Sequence, residues 1–180
     1  MQIKKTEFKG LLIIQPDVYT DDRGYFTEWY NQKTFKDILP PESFVQDNES
    51  LSRKHVLRGL HFQHPPYAQA KLLRVIHGSI LDVVVDLRKE EPTFGKHFSY
   101  TLTSESKELL FIPEGFAHGF LSLEDQTLIQ YKCSDFYQKS AEDALRWNDP
   151  DLKINWEIDS PLLSEKDQNA NLFRNFESPF

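Results

Sequence analysis

Residues 50–81 hold many basic and histidine side chains and no acidic residue, although Asp and Glu outnumber Lys and Arg by 28 to 21 in the whole chain. A local excess of positive charge inside an acidic protein predicts a site for an anion. Histidine adds a side chain that exchanges protons near neutral pH. The basic and histidine members of the segment are Arg53, Lys54, His55, Arg58, His61, His64, Lys71, Arg74 and His77.

Composition limits the partners of the protein and its location. The formal charge of −7 disfavours nucleic acid, since non-specific binding depends on Lys and Arg that neutralise phosphates. Residues 1–10 are too polar for a signal peptide and the apolar run 11–14 is too short for a membrane span, so we expect a cytoplasmic protein without a membrane partner. The length predicts one domain over residues 1–180, and Cys133, the one cysteine, can form no internal disulfide.

Short β-branched and aromatic runs separated by Gly and Pro predict that most of the chain is β-strand. The better helix candidates are residues 31–39 and 163–168, where Ser164 is a suitable N-cap. Many short strands separated by turn signals favour an all-β jelly-roll barrel, or double-stranded β-helix, with a few short helices. Besides those of residues 71–87, strands are predicted at 10–15, 25–30, 44–51, 56–62, 97–102, 108–112, 118–123 and 127–134.

Residues 71–87 predict a β-hairpin, because Gly78 lies between two apolar runs and glycine can adopt the positive φ of a tight turn. Asp82 and Asp86 then share one face of the second strand. At roughly 3.3 Å per residue they are about 13 Å apart, wider than the roughly 5–9.5 Å between the carboxyl groups of a glycosidase. The spacing argues against a glycosidase, so we expect Asp82 to position a site residue and Asp86 to satisfy donors at the strand end.

The stretch Ile112-Pro-Glu-Gly-Phe-Ala-His118 contains Pro-x-Gly-x-x-His, which resembles the second signature of the cupin superfamily. The resemblance implies that its histidine points into the mouth of the barrel. Metal-binding cupins also carry His-x-His and a following Glu, because a divalent ion needs three or four converging ligands. The matching stretch has Gln63 in place of the second His and no Glu before Glu90, so no metal site is expected.

Together, these segments resemble the dTDP-4-dehydrorhamnose 3,5-epimerase family of cupins that use no metal. The resemblance runs from residue 22 to residue 167, in the order of the family's motifs. Besides the stretch ending at His118, the motifs are Asp22-Arg-Gly-Tyr-Phe26, Gln46-Asp-Asn48, Leu57-Arg-Gly-Leu-His-Phe-Gln63, Gln69-Ala-Lys71, Asp82-Val-Val-Val-Asp86, Pro92-Thr-Phe-Gly95, Tyr131-Lys-Cys133, Trp147-Asn-Asp-Pro150 and Ser164-Glu-Lys-Asp167.

The resemblance implies inversion of C3 and C5 in dTDP-4-keto-6-deoxy-D-glucose, giving dTDP-4-dehydro-L-rhamnose on the route to dTDP-L-rhamnose. Both carbons lie next to the C4 ketone, so each can lose a proton from one face and regain one on the other. His61 is the best available base, and the resemblance makes Asp167 the carboxylate that orients it. Lys71 would stabilise charge on the C4 oxygen, and the family assigns Tyr131 as the acid. Tyr137 is the alternative acid, on the same face if the strand stays extended.

Arg23 and Arg58 suit the diphosphate, because a guanidinium group can engage two oxygens at once. No redox cofactor is expected, since the oxidation state is unchanged and no Gly-rich dinucleotide loop is visible. The resemblance also implies a homodimer with exchanged N-terminal strands, for which the run 11–14 would be an edge strand. It adds as substrate contacts Glu28, Gln46, Asn48, His118, Glu142 and Lys166, with Tyr137 lining the pocket.

Three alternatives stay open. The protein could invert C3 only or act on a related nucleotide-linked 4-keto-6-deoxy sugar, because product outcome depends on small differences in pocket shape. It could be a silent cupin that binds a sugar nucleotide, or a metal-dependent cupin. The role of the tail at residues 171–180 is left undetermined.

Overall fold

The computed structural model describes residues 1–36, 38–39 and 43–180, and thirteen strands make up most of the regular structure in these ranges. Two short helices are α1 (Gln32–Phe35) and α2 (Glu165–Gln168), and two 3-10 turns lie at Lys139–Ala141 and Phe173–Asn175. The strands are β1 (Gln2–Lys5), β2 (Leu12–Gln15), β3 (Val18–Asp21), β4 (Gly24–Thr27), β5 (Gln46–Ser52), β6 (Leu57–Gln63), β7 (Lys71–His77), β8 (Ser79–Asp86), β9 (His97–Thr103), β10 (Leu109–Ile112), β11 (Phe116–Ser122), β12 (Thr127–Cys133) and β13 (Glu142–Ala144).

Two antiparallel sheets form a jelly-roll barrel. The six-stranded sheet has the order β1-β2-β10-β7-β12-β5, and the five-stranded sheet has the order β13-β6-β11-β8-β9. β3 and β4 form a separate two-stranded hairpin. The predicted all-β jelly-roll fold is confirmed, and every predicted strand overlaps a strand of the structure.

The barrel interior is packed with apolar side chains from both sheets. Leu73 of β7 belongs to the same buried cluster as Ile80 and Val84 of β8. The intervening residues of β8 point the other way, and Val83 and Val85 belong to a second cluster outside the barrel. β8 is therefore buried on both faces, which explains why its apolar residues occur on both faces and do not simply alternate with polar ones.

The C-terminal tail covers the outer face of the five-stranded sheet. The rings of Phe176 and Phe180 lie 5.3 and 6.4 Å from the ring of Phe62, measured between centroids. The hydroxyl group of Ser178 donates a hydrogen bond to the carbonyl oxygen of Leu87. The tail, whose role was undetermined from the sequence, thus buries an apolar surface of the barrel.

The predicted hairpin over residues 71–87 is wrong. β7 pairs with β10 and β12, whereas β8 pairs with β9 and β11, so the chain crosses between the sheets at Gly78. Gly78 has the expected positive φ of 78°, and a Cβ atom there would lie 2.6 Å from Oγ1 of Thr127. A glycine is required at this point, but the local sequence does not distinguish a crossing from a hairpin turn.

The prediction that residues 11–14 form an edge strand is also wrong. β2 lies between β1 and β10, and Leu11, Ile13 and Ile14 are buried. β1, which the sequence analysis did not predict, covers the outer edge of β2 with four exposed residues. Its sequence has a single apolar residue, so it lacks the alternating pattern of a half-buried strand.

The two helices lie within the predicted ranges and begin one and two residues after the predicted starts. The side chain of Asn31 caps α1 by accepting a hydrogen bond from the amide of Lys33, and Ser164 caps α2 as expected. α1 ends at Phe35, earlier than the predicted limit of residue 39, and Asp37 lies outside the described residues. None of the described helices is long and apolar enough to cross a membrane.

Candidate active site

A cavity of about 670 Å³ lies at the barrel mouth and is lined by both sheets. Its walls come from β5, β7 and β12 on one side, from β6 and β11 on the other, and from residues around α2. Eleven of the thirteen site residues predicted from the sequence line it: Gln46, Asn48, Arg58, His61, Lys71, His118, Tyr131, Tyr137, Glu142, Lys166 and Asp167.

A bulge in β6 brings two basic side chains to the cavity. Between the cross-strand pairs His118–His61 and Phe120–Arg58, β11 advances by two residues and β6 by three. The extra residue interrupts the alternation of side chains, so Arg58 and His61 face the cavity although they are three positions apart. Gly59 lies at the bulge with φ 127°, and a Cβ atom there would be only 2.5 Å from the backbone of β11.

His61 and Asp167 form a hydrogen-bonded pair of 2.5 Å between Nε2 and Oδ1. α2 positions the carboxylate, whose Oδ2 accepts a hydrogen bond of 2.8 Å from Ser164. Burial acts to raise the pKa of Asp167, but the hydrogen bonds and positive charge around it lower the pKa below its ordinary value. Asp167 is therefore charged at neutral pH, and it can fix the imidazole with Nε2 toward the carboxylate and Nδ1 available for a substrate.

Lys71 begins β7, directly opposite Cys133 of β12, and both line the cavity. Burial lowers the pKa of Lys71, and the negative charge of Asp82, together with that of Cys133 when its thiol is ionised, acts against that decrease. Burial raises the pKa of the Cys133 thiol, which therefore keeps its proton at neutral pH. Its sulfur accepts a hydrogen bond of 3.5 Å from Asn48. Lys71 thus lies in a poorly solvated setting next to a neutral thiol.

Tyr131 faces the cavity from the sheet opposite His61. It pairs with Asn48 of β5 and with Leu73 of β7. Burial raises the pKa of Tyr131 above its ordinary value, and Cys133 raises it further, while Arg58 acts in the opposite direction. The phenol therefore keeps its proton at neutral pH and can donate it to a strong base such as a carbanion.

Tyr137 lies at the mouth of the cavity and is half exposed. β12 ends at Cys133, so the premise that Tyr131 and Tyr137 share one strand face is wrong. The hydroxyl of Tyr137 donates to Oε2 of Glu142 at 2.9 Å, and Nζ of Lys166 lies 2.5 Å from Oε1 of the same carboxylate. Burial acts to raise the pKa of Glu142, but these two contacts lower it below the ordinary value. The mouth is thus bounded by a charged, hydrogen-bonded group.

His118 and Asp82 form a second histidine–carboxylate pair, at 2.8 Å between Nε2 and Oδ2. Both residues are buried, and His118 is the cross-strand partner of His61. The predicted position of His118 at the barrel mouth therefore agrees with the structure, and Asp82 supports it from the neighbouring strand.

The sequence analysis missed the roles of Gln63 and Gln69. Gln63 is buried, accepts a hydrogen bond of 2.7 Å from the amide of Gln138, and donates to two carbonyl groups, of Tyr67 at 2.7 Å and of Phe136 at 3.3 Å. Gln69 donates to the carbonyl of residue 135 at 2.7 Å, and Gln46 accepts from the amide of residue 137 at 3.0 Å. The three glutamines hold the segment that carries Tyr137. Gln63 was visible as a departure from the metal signature, but the sequence does not show what its amide binds.

Arg23 and Glu28 lie apart from this cavity. Arg23 belongs to the turn between β3 and β4, its side chain is 90% exposed, and it pairs with Asp21 at 2.6 Å. Glu28 is exposed just after β4. The hairpin also exposes large apolar side chains, with Tyr25 57% and Phe26 66% exposed. The structure of one chain therefore does not bring these two predicted residues to the other eleven.

The arrangement of the cavity is suited to moving protons. It combines an oriented histidine on one wall with an enclosed lysine and a protonated tyrosine on the opposite wall. Within residues 1–36, 38–39 and 43–180, no group of three or more His, Cys, Asp or Glu side chains is suited to hold a metal ion. The fold and the cavity define a cupin-type acid–base enzyme.

Comparison with known proteins gives the particular family. The family model for dTDP-4-dehydrorhamnose 3,5-epimerase matches residues 5–175. The chain belongs to this family, as the sequence motifs predicted.

Three relatives illustrate the similarity. A dTDP-4-dehydrorhamnose 3,5-epimerase from Shigella flexneri is 48% identical over 174 residues, which cover 96% of each chain. The crystal structure of a dTDP-4-dehydrorhamnose 3,5-epimerase from Elizabethkingia anophelis is 46% identical, with a TM-score of 0.92 and coverage of 97% of each chain. A 3,5-epimerase from Legionella pneumophila, solved in complex with dTDP-4-keto-L-rhamnose, is 40% identical, with a TM-score of 0.93 and coverage of 98% of this chain and 94% of that one.

Proposed function

We propose that the chain inverts C3 and C5 of dTDP-4-keto-6-deoxy-D-glucose to give dTDP-4-dehydro-L-rhamnose. The observation that carries the proposal is the 2.5 Å bond between His61 and Asp167, in a cavity that Lys71 and Tyr131 also line. The family match and the keto-sugar complex of the Legionella pneumophila relative support the substrate class.

His61 is the proposed base. With Nε2–H donating to the charged Asp167, Nδ1 carries the free lone pair and accepts the proton from C3 or C5. The electron pair of the broken C–H bond forms a double bond to C4, and the π electrons of the C4 carbonyl move to its oxygen, which becomes negatively charged. The imidazolium that forms is stabilised by the buried carboxylate.

Lys71 and Tyr131 are proposed to act once the proton has been removed, by stabilising the enolate and by returning a proton. The ammonium group of Lys71 stabilises the enolate oxygen, and its burial strengthens that interaction because the local dielectric constant is low. Tyr131 returns a proton to the carbon from the face opposite His61, since the two side chains belong to opposite sheets. Removal from one face and return to the other inverts the centre.

Arg58 is proposed to bind the diphosphate. Its guanidinium is held by the hydroxyl of Ser52 at 3.2 Å and by the carbonyl of Leu51 at 3.3 Å, which limits its freedom before substrate arrives. The remaining proposed substrate contacts in the cavity are Gln46, Asn48, His118, Tyr137, Glu142 and Lys166.

We further propose that the protein is a homodimer with exchanged N-terminal strands, in which Arg23 and Glu28 reach the cavity of the partner subunit. The exposed apolar side chains of the β3–β4 hairpin support this, because such a surface is usually covered. A mixture of Arg23→Ala and His61→Asn chains tests it. If the hairpin serves the partner, one cavity of each mixed dimer has both residues and activity returns; if the hairpin serves its own cavity, no site is complete and the mixture stays inactive.

The decisive experiment for the reaction is proton NMR of dTDP-4-keto-6-deoxy-D-glucose with the protein in D2O. Deuterium at both C3 and C5, with L-rhamno product, is the expected result. Label at C3 alone would identify a C3 epimerase instead. Absence of exchange at both carbons, with binding of dTDP retained, would favour a silent sugar-nucleotide binder or a different keto sugar. The cytoplasmic location stays a prediction from the sequence.

A further inference from the structure

Two buried aspartates on the same face of β8 differ in how their oxygens are satisfied. Asp86 accepts hydrogen bonds from the amide, Nε and Nη2 of Arg88 at 3.0, 2.8 and 2.7 Å, and from Thr93 at 2.6 Å. Asp82 accepts one bond, from His118 at 2.8 Å. Its other oxygen, Oδ1, is buried and has no partner among the described residues.

An unpartnered oxygen on a buried carboxylate is costly, and native proteins rarely keep one without a function or a counter-charge. Asp82 is only 1% exposed, so bulk water does not satisfy it. Its position on β8 is opposite Phe120 of β11, two residues along from His118. The carboxylate thus lies behind the cavity wall that His118 forms.

Lys71 is the cation whose positive charge the Asp82 carboxylate can balance. Burial disfavours the charged ammonium, while the negative charge of Asp82 favours it. The thiol of Cys133 keeps its proton at neutral pH and supplies no charge there. Other titratable groups also line the cavity around Lys71: Arg58 and His61 of β6, His118 of β11, Tyr131 and Cys133 of β12, and Glu142, Lys166 and Asp167 at the mouth.

Of the carboxylates around Lys71, Glu142 is bonded to Lys166 and Asp167 to His61. Tyr137 and Ser164 bind their second oxygens, so both oxygens of each carboxylate are hydrogen-bonded. Asp82 instead has a buried oxygen without a partner among the described residues, and its negative charge favours the ammonium form of Lys71.

We propose that Asp82 is a positioning residue for the substrate's C4 oxygen: one carboxylate oxygen fixes His118 through Nε2, and the carboxylate is the buried counter-charge of the Lys71 ammonium group. This inference rests on the proposed epimerase reaction, in which that ammonium faces the enolate. Asp82 does not line the cavity, so it acts through His118 and Lys71.

The test compares Asp82→Asn with Asp86→Asn. Asn at position 82 keeps the shape and an oxygen for His118 but removes the charge, so the ammonium of Lys71 becomes easier to deprotonate. We expect dTDP binding within about threefold of wild type, exchange at C3 and C5 slowed about 10- to 100-fold, and the alkaline limb of the rate profile moved to lower pH. Asp86→Asn should lower Tm because it breaks the Arg88 contacts, while the pH profile stays as in wild type.

If Asp82→Asn gives too little folded protein for kinetics, the test is the stability of the double variant Asp82→Asn/Lys71→Met compared with that of the single variants. Removing both members of a buried charge pair destabilises less than removing one. A double variant more stable than Asp82→Asn alone supports the proposal, and an additive loss of stability overturns it.

The outcomes also separate this inference from the proposed function. Wild-type exchange with an Asp82→Asn variant of unchanged rate and pH profile overturns the role of Asp82 alone. A reduced rate without a displaced alkaline limb also overturns it, because a purely structural role gives that result. A wild-type protein that exchanges neither carbon overturns both.

Discussion

The two sides of the end of β6 carry similar histidine–carboxylate pairs in different surroundings. On the cavity side, His61 lies 2.5 Å from Asp167, whose side chain is 4% exposed. On the outer side, His64 lies 3.0 Å from Asp143, whose side chain is 33% exposed. The residue types and the contact are the same, so the pair alone does not define a site.

The surroundings account for the difference. The hydroxyl of Ser164, the N-cap of α2, holds the Asp167 carboxylate in place, and the bulge in β6 turns His61 into the cavity. His64 instead packs beside Phe62, with ring centroids 5.3 Å apart, and does not line the cavity. A histidine–carboxylate pair becomes useful for proton transfer when its carboxylate is buried and its free nitrogen faces a substrate space.

Matched substitutions of the two histidines should give the largest difference between the two sides. His61→Asn removes the proposed base, and we expect deuterium exchange at C3 and C5 to fall about 10³-fold. His64→Asn should leave the exchange rates within about twofold of wild type, because a partly exposed pair outside the cavity takes no part in the reaction. Rates from NMR in D2O would decide, and equal losses in both variants would contradict the assignment.

The two tyrosines sharpen the same contrast between the cavity and its surroundings. In Tyr131→Phe the base is intact, so deuterium still enters, but inversion should fall about 10²-fold because the acid on the opposite face is missing. In Tyr137→Phe inversion should persist with a raised KM. NMR separates the two readouts, since label measures exchange and coupling constants measure configuration. Inversion lost in Tyr137→Phe and retained in Tyr131→Phe would exchange their proposed roles.

Substituting a glutamine at the cavity mouth and one away from the cavity should give a smaller difference in kinetics. Gln63→Leu removes the hydrogen bonds that hold residues 136–138, and we expect KM to rise about 3- to 10-fold with a smaller change in kcat. Gln130→Leu breaks a bond to Arg74 of 2.9 Å away from the cavity and serves as the control. Steady-state kinetics of both variants at matched temperature is the measurement. A KM change of the same size in Gln130→Leu would show that the effect is not specific to the cavity mouth.

The smallest expected effect is on stability in acid. The folded-state pKa of Asp167 is lower than its ordinary value of 3.8, so its contribution to stability is present above the unfolded-state pKa and is lost as pH falls through the folded-state pKa. The Tm of wild type should therefore fall more steeply below about pH 4 than that of Asp167→Asn. The extra fall should be roughly 2–4 °C for each kcal/mol of unfolding free energy that protonation of Asp167 removes. Asp143→Asn should keep the wild-type slope, since a partly exposed pair contributes little. Thermal melts from pH 3 to pH 7 measure both.

The sequence alone determined the family, the all-β jelly-roll fold and the epimerase function. It also predicted the residues that are proposed to carry out the reaction. These followed because motifs such as Gln69-Ala-Lys71 are local, and because short strands and turns are set by neighbouring residues. The cap at Ser164 was predictable for the same reason.

Tertiary structure decided how those residues meet. Asp167 reaches His61 across 106 positions, which no local pattern reports. The crossing at Gly78 was mistaken for a hairpin, because a glycine with positive φ serves both and only the pairing of β7 and β8 with other strands separates them. The bulge in β6, the burial that changes the pKa of Lys71, and the unpartnered oxygen of Asp82 likewise depend on the packing of distant strands. Residue types therefore fixed which chemistry was available, and long-range packing fixed which individual residues of each type lie where they can perform it.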